Sequence, residues 1–320
     1  MSTQKLLAII NPISGTSNKK EVPLKIKEIL ASDDLVVDIV YTEYAGHATL
    51  LAKDAVKNNY DIVLAVGGDG TCNEIGKALI NTNTALAVLP LGSGNGFARH
   101  LGIPMGLTSS LKALKKSHII DADYCTANDI PFFVTCGMGF DAQISETFAN
   151  SKKRGGLTYF LKTIQEYFSY MNDEYIIETP SSLSKERAFI IACGNVSQYG
   201  NNAFIAPHAS LKDGLIDVTI INHINLFEII PTAIQLFTKT LKFNPAVKTY
   251  STPQLSITRR EAGTMHIDGE PIEMPDKVVI KCHKNGLKVL VPDIQAANEF
   301  EYTILSMLST VFGINIHKKI

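Results

Sequence analysis

The stretch DIVLAVGGDGTCNE, residues 61–74, decides how the first half of this chain folds. The run from Asp61 to Val66, unbroken in apolar residues after Asp61 itself, stops at Gly67-Gly68, turns through Asp69-Gly70 and enters a helical pattern at Thr71–Ile80. A run without polar alternation is the signature of a strand covered on both faces, as in a parallel sheet. Glycines let the backbone approach a ligand, and a helix start presents unpaired N–H groups and the positive end of its dipole. Phosphate suits such a turn. Asp69 would repel a bare phosphate, so its carboxylate calls for Mg²⁺ or a hydroxyl proton nearby. A glycine-rich strand–helix turn also occurs without any ligand, so this motif alone does not decide function.

Working outward, the same grammar repeats. Lys5–Ile10 is an apolar run ending at Asn11-Pro12, and Lys19–Leu30 places Val22, Ile26, Ile29 and Leu30 at helical spacing. Leu35–Tyr41 is β-branched and apolar, Ala48–Asn58 is helical, and Ala85–Leu89 is a strand stopped by Pro90. Strand and helix in alternation predict a parallel sheet with crossover helices, whose ligands bind outside the carboxyl ends of the strands. Three of those ends carry polar glycine loops: Asn11–Gly15, Gly67–Asn73 and Gly92–Gly96. None has the G-x4-G-K-[ST] pattern, and Phe97 stands where a dinucleotide fingerprint needs its third glycine.

From about residue 120 the pattern changes. Asp121–Gly137 reads as a hairpin turning at Ala127-Asn128-Asp129, with helices expected at 142–149 and 157–171. Short strands follow at Tyr175–Glu178, Ala188–Cys193, Ile216–Ile221, Leu255–Thr258, Thr264–Ile267, Val278–His283 and Leu287–Val291. The expectation is an α/β protein of two domains. Residues 1–122 form a parallel-sheet nucleotide-binding domain, and 123–293 form a mostly antiparallel domain. Segment 294–320, with Phe300, Ile304, Met307, Leu308 and Val311 on one face, is left open to pack back on the first.

The totals agree with this outline. A chain of 320 residues fits about two domains. A net charge of -1 argues against a nucleic-acid partner. The five cysteines have no metal-finger or CxxC spacing and read as free thiols of a cytoplasmic protein. The most apolar late stretch, Ile224–Phe243, is broken by Glu228, Pro231, Lys239 and Lys242, so no transmembrane segment is expected. Its helically spaced Leu226, Ile229, Ile230, Ala233, Ile234, Phe237 and Leu241 read as core rather than as a lipid-docking face. His47, His100 and His208 read as structural or rim residues, and Lys152-Lys153-Arg154 as solvated surface.

NPISG at 11–15, GGDGTCNE at 67–74, PLGSGNGFAR at 90–99 and HIDGEP at 266–271 together resemble the diacylglycerol-kinase catalytic family, which includes bacterial lipid kinases, sphingosine kinases and ceramide kinases. The resemblance runs from about residue 5 to residue 291. It implies an ATP-binding first domain of NAD-kinase and phosphofructokinase type, a β-sandwich second domain, and a lipid substrate entering between them. The nucleotide contacts it implies are Asn11, Pro12, Ile13, Ser14, Gly15, Thr42, Gly67, Gly68, Asp69, Gly70, Thr71, Cys72, Asn73 and Ser93. It makes Glu270 or Asp268 the candidate general base, although sphingosine kinases place the base at the position of Asp69. Glu270 is favoured, with Asp268 as orienting partner or substitute, because Asp69 on the phosphate turn is expected to be occupied with Mg²⁺. Asp268-Gly269 is equally a favoured hairpin pair. In Ser210–Leu215 the resemblance implies a structural Mg²⁺ loop, held by the Asp213 carboxylate and the carbonyls of Ser210 and Leu215, although a plain Asp-Gly turn looks alike. The expected activity is ATP- and Mg²⁺-dependent phosphorylation of a lipid at a membrane surface, a step of phospholipid biosynthesis, with a homodimer left open. The rivals are an NAD kinase, against which PLGSGNG and Asp268-Gly269-Glu270 argue, and a non-catalytic nucleotide sensor.

Overall fold

The computed structural model of the chain describes residues 3–15, 19–140, 142, 173–222 and 225–293. The helix expected at 142–149, apart from residue 142, the helix expected at 157–171, the Lys152-Lys153-Arg154 run and segment 294–320 lie outside the described residues. The chain divides into two compact units. The first runs to Tyr124 and also takes in Leu211–Asp213 and, among the described residues, the chain from His283 onward; the second comprises the rest.

In the first unit, β1 (Gln4–Ile10), β2 (Leu35–Tyr41), β3 (Ile62–Gly67) and β4 (Ala85–Pro90) are parallel, in the order β4-β3-β1-β2. Ile10 is level with Tyr41 on one side and Val66 on the other, and Gly67 is level with Pro90. Four strands therefore end on one line, and every strand-end loop leaves from the same edge. β3 and β4 are buried throughout, which explains their continuous apolar sequence. Helices α1 (Val22–Leu30), α2 (His47–Lys57), α3 (Asp69–Leu79), α4 (Gly96–His100) and α5 (Leu107–Lys115) complete the unit. Val22, Ile26, Leu30, Leu111 and Leu114 close one face of the sheet against Leu6, Ala8, Leu64 and Ala87. Helix α1 starts at Val22 rather than Lys19, because Pro23 in its first turn needs no intrahelical donor and terminates the pattern on that side.

The second unit is antiparallel. Strand β5 (Ser117–Ala127) begins in the first unit, and its last residues form a hairpin with β6 (Ile130–Phe132) that turns at Asn128, whose φ is +50°. Strand β7 (Thr135–Gly139) pairs with β9 (Ser182–Gly194), which also pairs with β8 (Asp173–Thr179) and β10 (Ile216–Asn222). Strand β11 (Val247–Thr252) extends β10, and β12 (Gln254–Thr258) lies between β8 and β15 (Lys277–Pro292). The hairpin of β13 (Gly263–Ile267) and β14 (Glu270–Met274) joins β7. Tyr175, Ile191, Ile216, Leu255, Met265 and Ile280 share its core. Two segments expected as separate strands, 278–283 and 287–291, form the single strand β15. Its far end, at Val289, lies parallel to Leu86 of β4 within the first unit. One helix, α6 (Leu226–Phe237), follows β10. Among the described residues no helix is long and apolar enough to cross a membrane.

Candidate active site

The three polar glycine loops of the first unit converge. Gly68 and Gly92 are packed backbone to backbone, and a Cβ built on Gly92 would lie 2.4 Å from the Gly68 Cα. Gly15, at φ +63°, presses so closely on the Leu91 carbonyl that no side chain fits there. Gly67 lies against the Thr71 side chain. These glycines are needed because three chain segments meet at backbone distance. Replacing Gly92 with alanine would force Gly68 aside, an overpacking cost of about 1–3 kcal/mol. The expected result is a lowered melting temperature together with weakened nucleotide binding, read by thermal unfolding with and without ATP.

Polar side chains lock the loops. Asn11 Nδ2 donates to Thr71 Oγ1 at 3.3 Å, and Asn11 Oδ1 accepts the Ile13 N–H at 3.1 Å. Asn95, in the left-handed region at φ +53°, accepts the Gly92 N–H at 3.0 Å and donates to the Gly92 carbonyl at 2.8 Å. Asp69 Oδ2 accepts the Gly96 N–H at 3.0 Å and Oδ1 accepts the Phe97 N–H at 3.1 Å. A carboxylate there receives the two leading N–H groups of α4, so Asp69 ties the first residue of α3 to the PLGSGNG loop. Arg99 donates from Nε to the Gly94 carbonyl at 3.1 Å. Burial depresses its guanidinium from the usual value, and the Asp69 charge works in the opposite direction. The N–H groups of Gly70 and Thr71, in the first turn of α3, have no intrahelical carbonyl to meet.

The remaining predicted nucleotide residues surround this cradle. Thr42 is buried directly after β2 and donates its N–H to the Ile10 carbonyl. Thr71, Cys72 and Asn73 are buried on α3, whereas Pro12, Ile13, Gly70 and Ser93 are exposed. Sequence reasoning passed over two residues. Lys19 donates from Nζ to the Asn11 carbonyl at 2.6 Å and to Ser14 Oγ at 2.8 Å, and burial lowers its ammonium from the ordinary lysine value. Its only sequence signal is a cation a few residues after NPISG. Glu74, the last residue of the decisive stretch, accepts the N–H groups of Gly46 and Ala48 and so caps α2.

In the second unit, Asp268 and Gly269 form the β13–β14 turn with φ of +49° and +84°, the left-handed pair that a two-residue hairpin requires. The Asp268 carboxylate is buried and accepts three backbone N–H groups, from Phe133 at 3.0 Å, Val134 at 2.8 Å and Thr135 at 3.1 Å. Both its oxygens are thus committed to holding the chain before β7. Glu270, two residues on, is exposed. In the first unit, Asp213 is also exposed, next to Gly214 at φ +74°, and the Leu211 carbonyl accepts the Asp123 N–H. Among the described residues no three histidine, cysteine or acidic side chains cluster as metal ligands.

Residues 5–127 match the model of the diacylglycerol kinase catalytic domain, and residues 134–291 match the YegS C-terminal NAD kinase β-sandwich-like domain. The chain belongs to the diacylglycerol-kinase catalytic family. Relatives carry the corresponding names. The "Probable lipid kinase YegS-like" of Chromohalobacter salexigens is 30% identical over 71% of this chain and 75% of its own. The "Probable lipid kinase YegS" of Escherichia coli is 29% identical over 76% and 83%. A diacylglycerol kinase of Bacillus anthracis has the same fold, with a TM-score of 0.70, 19% identity, and coverage of 92% and 98%. An NAD kinase of Archaeoglobus fulgidus, crystallised with ATP, is more distant at a TM-score of 0.52 and 11% identity over 93% and 98%. As a member of this family the chain is a two-domain α/β protein with a parallel-stranded catalytic domain and a β-sandwich-like second domain, and its kind is that of a lipid kinase.

Proposed function

We propose that this protein transfers the γ-phosphoryl group of ATP to a hydroxyl of a lipid, of diacylglycerol or sphingoid type. The observation that carries the reading is the convergence of the Asn11, Gly67 and Gly92 loops, backbone against backbone, at the start of α3. Such a cradle suits a triphosphate. The N–H groups of Gly70 and Thr71 and the α3 dipole attract anionic oxygens, and Lys19 adds a positive charge at the Asn11–Ser14 loop. The hydroxyls of Thr42 and exposed Ser93 are available to ribose or phosphate. Phosphoryl transfer asks little covalent chemistry of the protein and depends on positioning and charge neutralisation. Glu270, exposed beside a turn that Asp268 holds rigid, is assigned to accept the lipid hydroxyl proton.

Mg²⁺ belongs with ATP as the cation that offsets the developing charge. Both Asp69 oxygens already accept N–H donors, so its part is to fix the loop rather than to serve as a dedicated metal ligand. The exposed Asp213 carboxylate is a hard-oxygen donor of the kind Mg²⁺ prefers. The NAD-kinase alternative shares the glycine turn. Purified protein with Mg-ATP is expected to label a lipid from a panel of diacylglycerol, monoacylglycerol, sphingoid base, ceramide and phosphatidylglycerol, and to leave NAD unchanged. Formation of NADP without labelled lipid would reverse the assignment, and ATP binding without any turnover would favour the sensor.

A further inference from the structure

Helix α6 does not bury the apolar face that its sequence pattern promises. Ile229, Thr232 and Leu236 turn inward, the two aliphatic residues packing on the cluster of Phe140, Phe189, Ile205, Ile221 and Leu241. The opposite stripe faces out: Phe227 is 90% exposed, Ile230 62% and Ile234 41%. These three stand at positions i, i+3 and i+7, on one side of the helix. Phe243, 72% exposed, follows in the 3-10 turn Leu241–Phe243. The helix does not need its outer stripe in order to form. Asn225 and Glu228 make a reciprocal capping box, and the inner stripe anchors it. Leaving two large apolar side chains mostly in water is unfavourable, and residues of this size at adjacent helix positions mark a contact surface rather than scattered exposure.

The charges around the stripe specify the occupant. Glu228 is the sole charged residue of α6, and its carboxylate is turned back onto the Asn225 N–H at 2.7 Å. The cations lie at the other end. Lys239 sits over the Phe204 ring at 4.3 Å and Lys242 over the Phe243 ring at 5.3 Å, with His208 at 3.4 Å from the Lys242 amine. Aromatic and aliphatic side chains flanked by lysines, with the acid locally satisfied, match an interface of acyl chains below anionic headgroups. A second protein copy would need an acidic partner surface, and the stripe itself offers none.

We propose that the outer face of α6, with Phe227, Ile230, Ile234, Phe243, Lys239 and Lys242, docks this protein on an anionic lipid bilayer. The choice of a bilayer as occupant rests on the lipid-kinase reading, and the test separates the two. The full chain is mixed with phosphatidylcholine–phosphatidylglycerol vesicles or with phosphatidylcholine vesicles alone, and vesicle-bound protein is measured by sedimentation. The parent protein should bind the anionic vesicles more strongly. The Phe227→Ser/Ile230→Ser variant should bind about tenfold or more weakly, since two interfacial apolar anchors are lost. Lys239→Gln/Lys242→Gln should weaken only the anionic arm, by about fivefold per charge removed. Because Phe227 and Ile230 are solvent-facing, the serine double variant should keep the parental melting temperature, whereas the lysine variant gives up the Lys239 contact with Phe204 and is compared at a temperature where it is folded. Parental binding by the serine double variant overturns the proposal. So does a parent that ignores vesicles but sediments as a dimer which that variant dissociates, because the occupant is then a second copy. Vesicle binding that depends on these residues, with no lipid phosphorylated, sustains the docking face while refuting the lipid-kinase reading.

Discussion

Asp69→Asn is expected to lower lipid phosphorylation by about 10²–10³-fold while leaving the protein folded, the scale typical of losing one preorganised electrostatic contact. The reason lies in donor and acceptor counting. Asp69 is an acceptor at both oxygens, one for Gly96 and one for Phe97. Asparagine accepts at one and presents an NH₂ group to the other N–H, so one of the two ties becomes a donor–donor clash. The PLGSGNG loop then loses its register against Gly68, and the Arg99 guanidinium loses the opposing charge of Asp69. Both effects fall on the loops proposed to hold the phosphates, so ATP affinity and turnover should decline together. The check is equilibrium ATP binding beside steady-state turnover, with thermal unfolding to confirm the fold. A well-folded Asp69→Asn protein with ordinary turnover would refute the role.

Glu270→Gln should behave differently. Glutamine keeps the shape of the side chain but cannot accept the hydroxyl proton, and losing a general base costs about 10²–10⁴-fold in turnover. ATP affinity should be unchanged, because Glu270 lies outside the nucleotide loops. Asp268→Asn serves as the contrast. Its carboxylate accepts three buried N–H groups, and an amide leaves at least one of them facing another donor. Stranding a buried donor costs about 1–3 kcal/mol, so this variant should melt at a lower temperature and lose activity in proportion to its loss of fold. If Glu270→Gln turns over normally, the base is another group and Asp69 is the next candidate. A normal melting curve for Asp268→Asn would contradict the structural role assigned to that carboxylate.

The sequence by itself determined the parallel α/β first unit, since continuous apolar runs such as Ile62–Val66, too short for a helix and closed by glycine or proline, alternate with helical patterns and suit a sheet covered on both faces. It also determined that the loops closing those runs are glycine-rich, and that Asp268-Gly269 turns a hairpin, because φ of the left-handed sign is cheap there. Local chemistry sufficed in each case. Strands β11 and β14 were not legible, because VKTYST and EPIEM mix polar and apolar residues at positions where pairing partners, not propensity, decide the conformation. Only the tertiary structure decided which distant groups meet: Gly15 at Leu91, Gly68 at Gly92, and Asp268 at an N–H row some 130 residues earlier in the chain. Nothing in a residue's neighbours records such contacts, which are set by strand order. The α6 stripe shows the same limit. Its spacing marks which residues share a face, and the expectation of core burial held for Ile229 and failed for Ile230 and Ile234, because period alone does not say which side of a helix the rest of the protein covers.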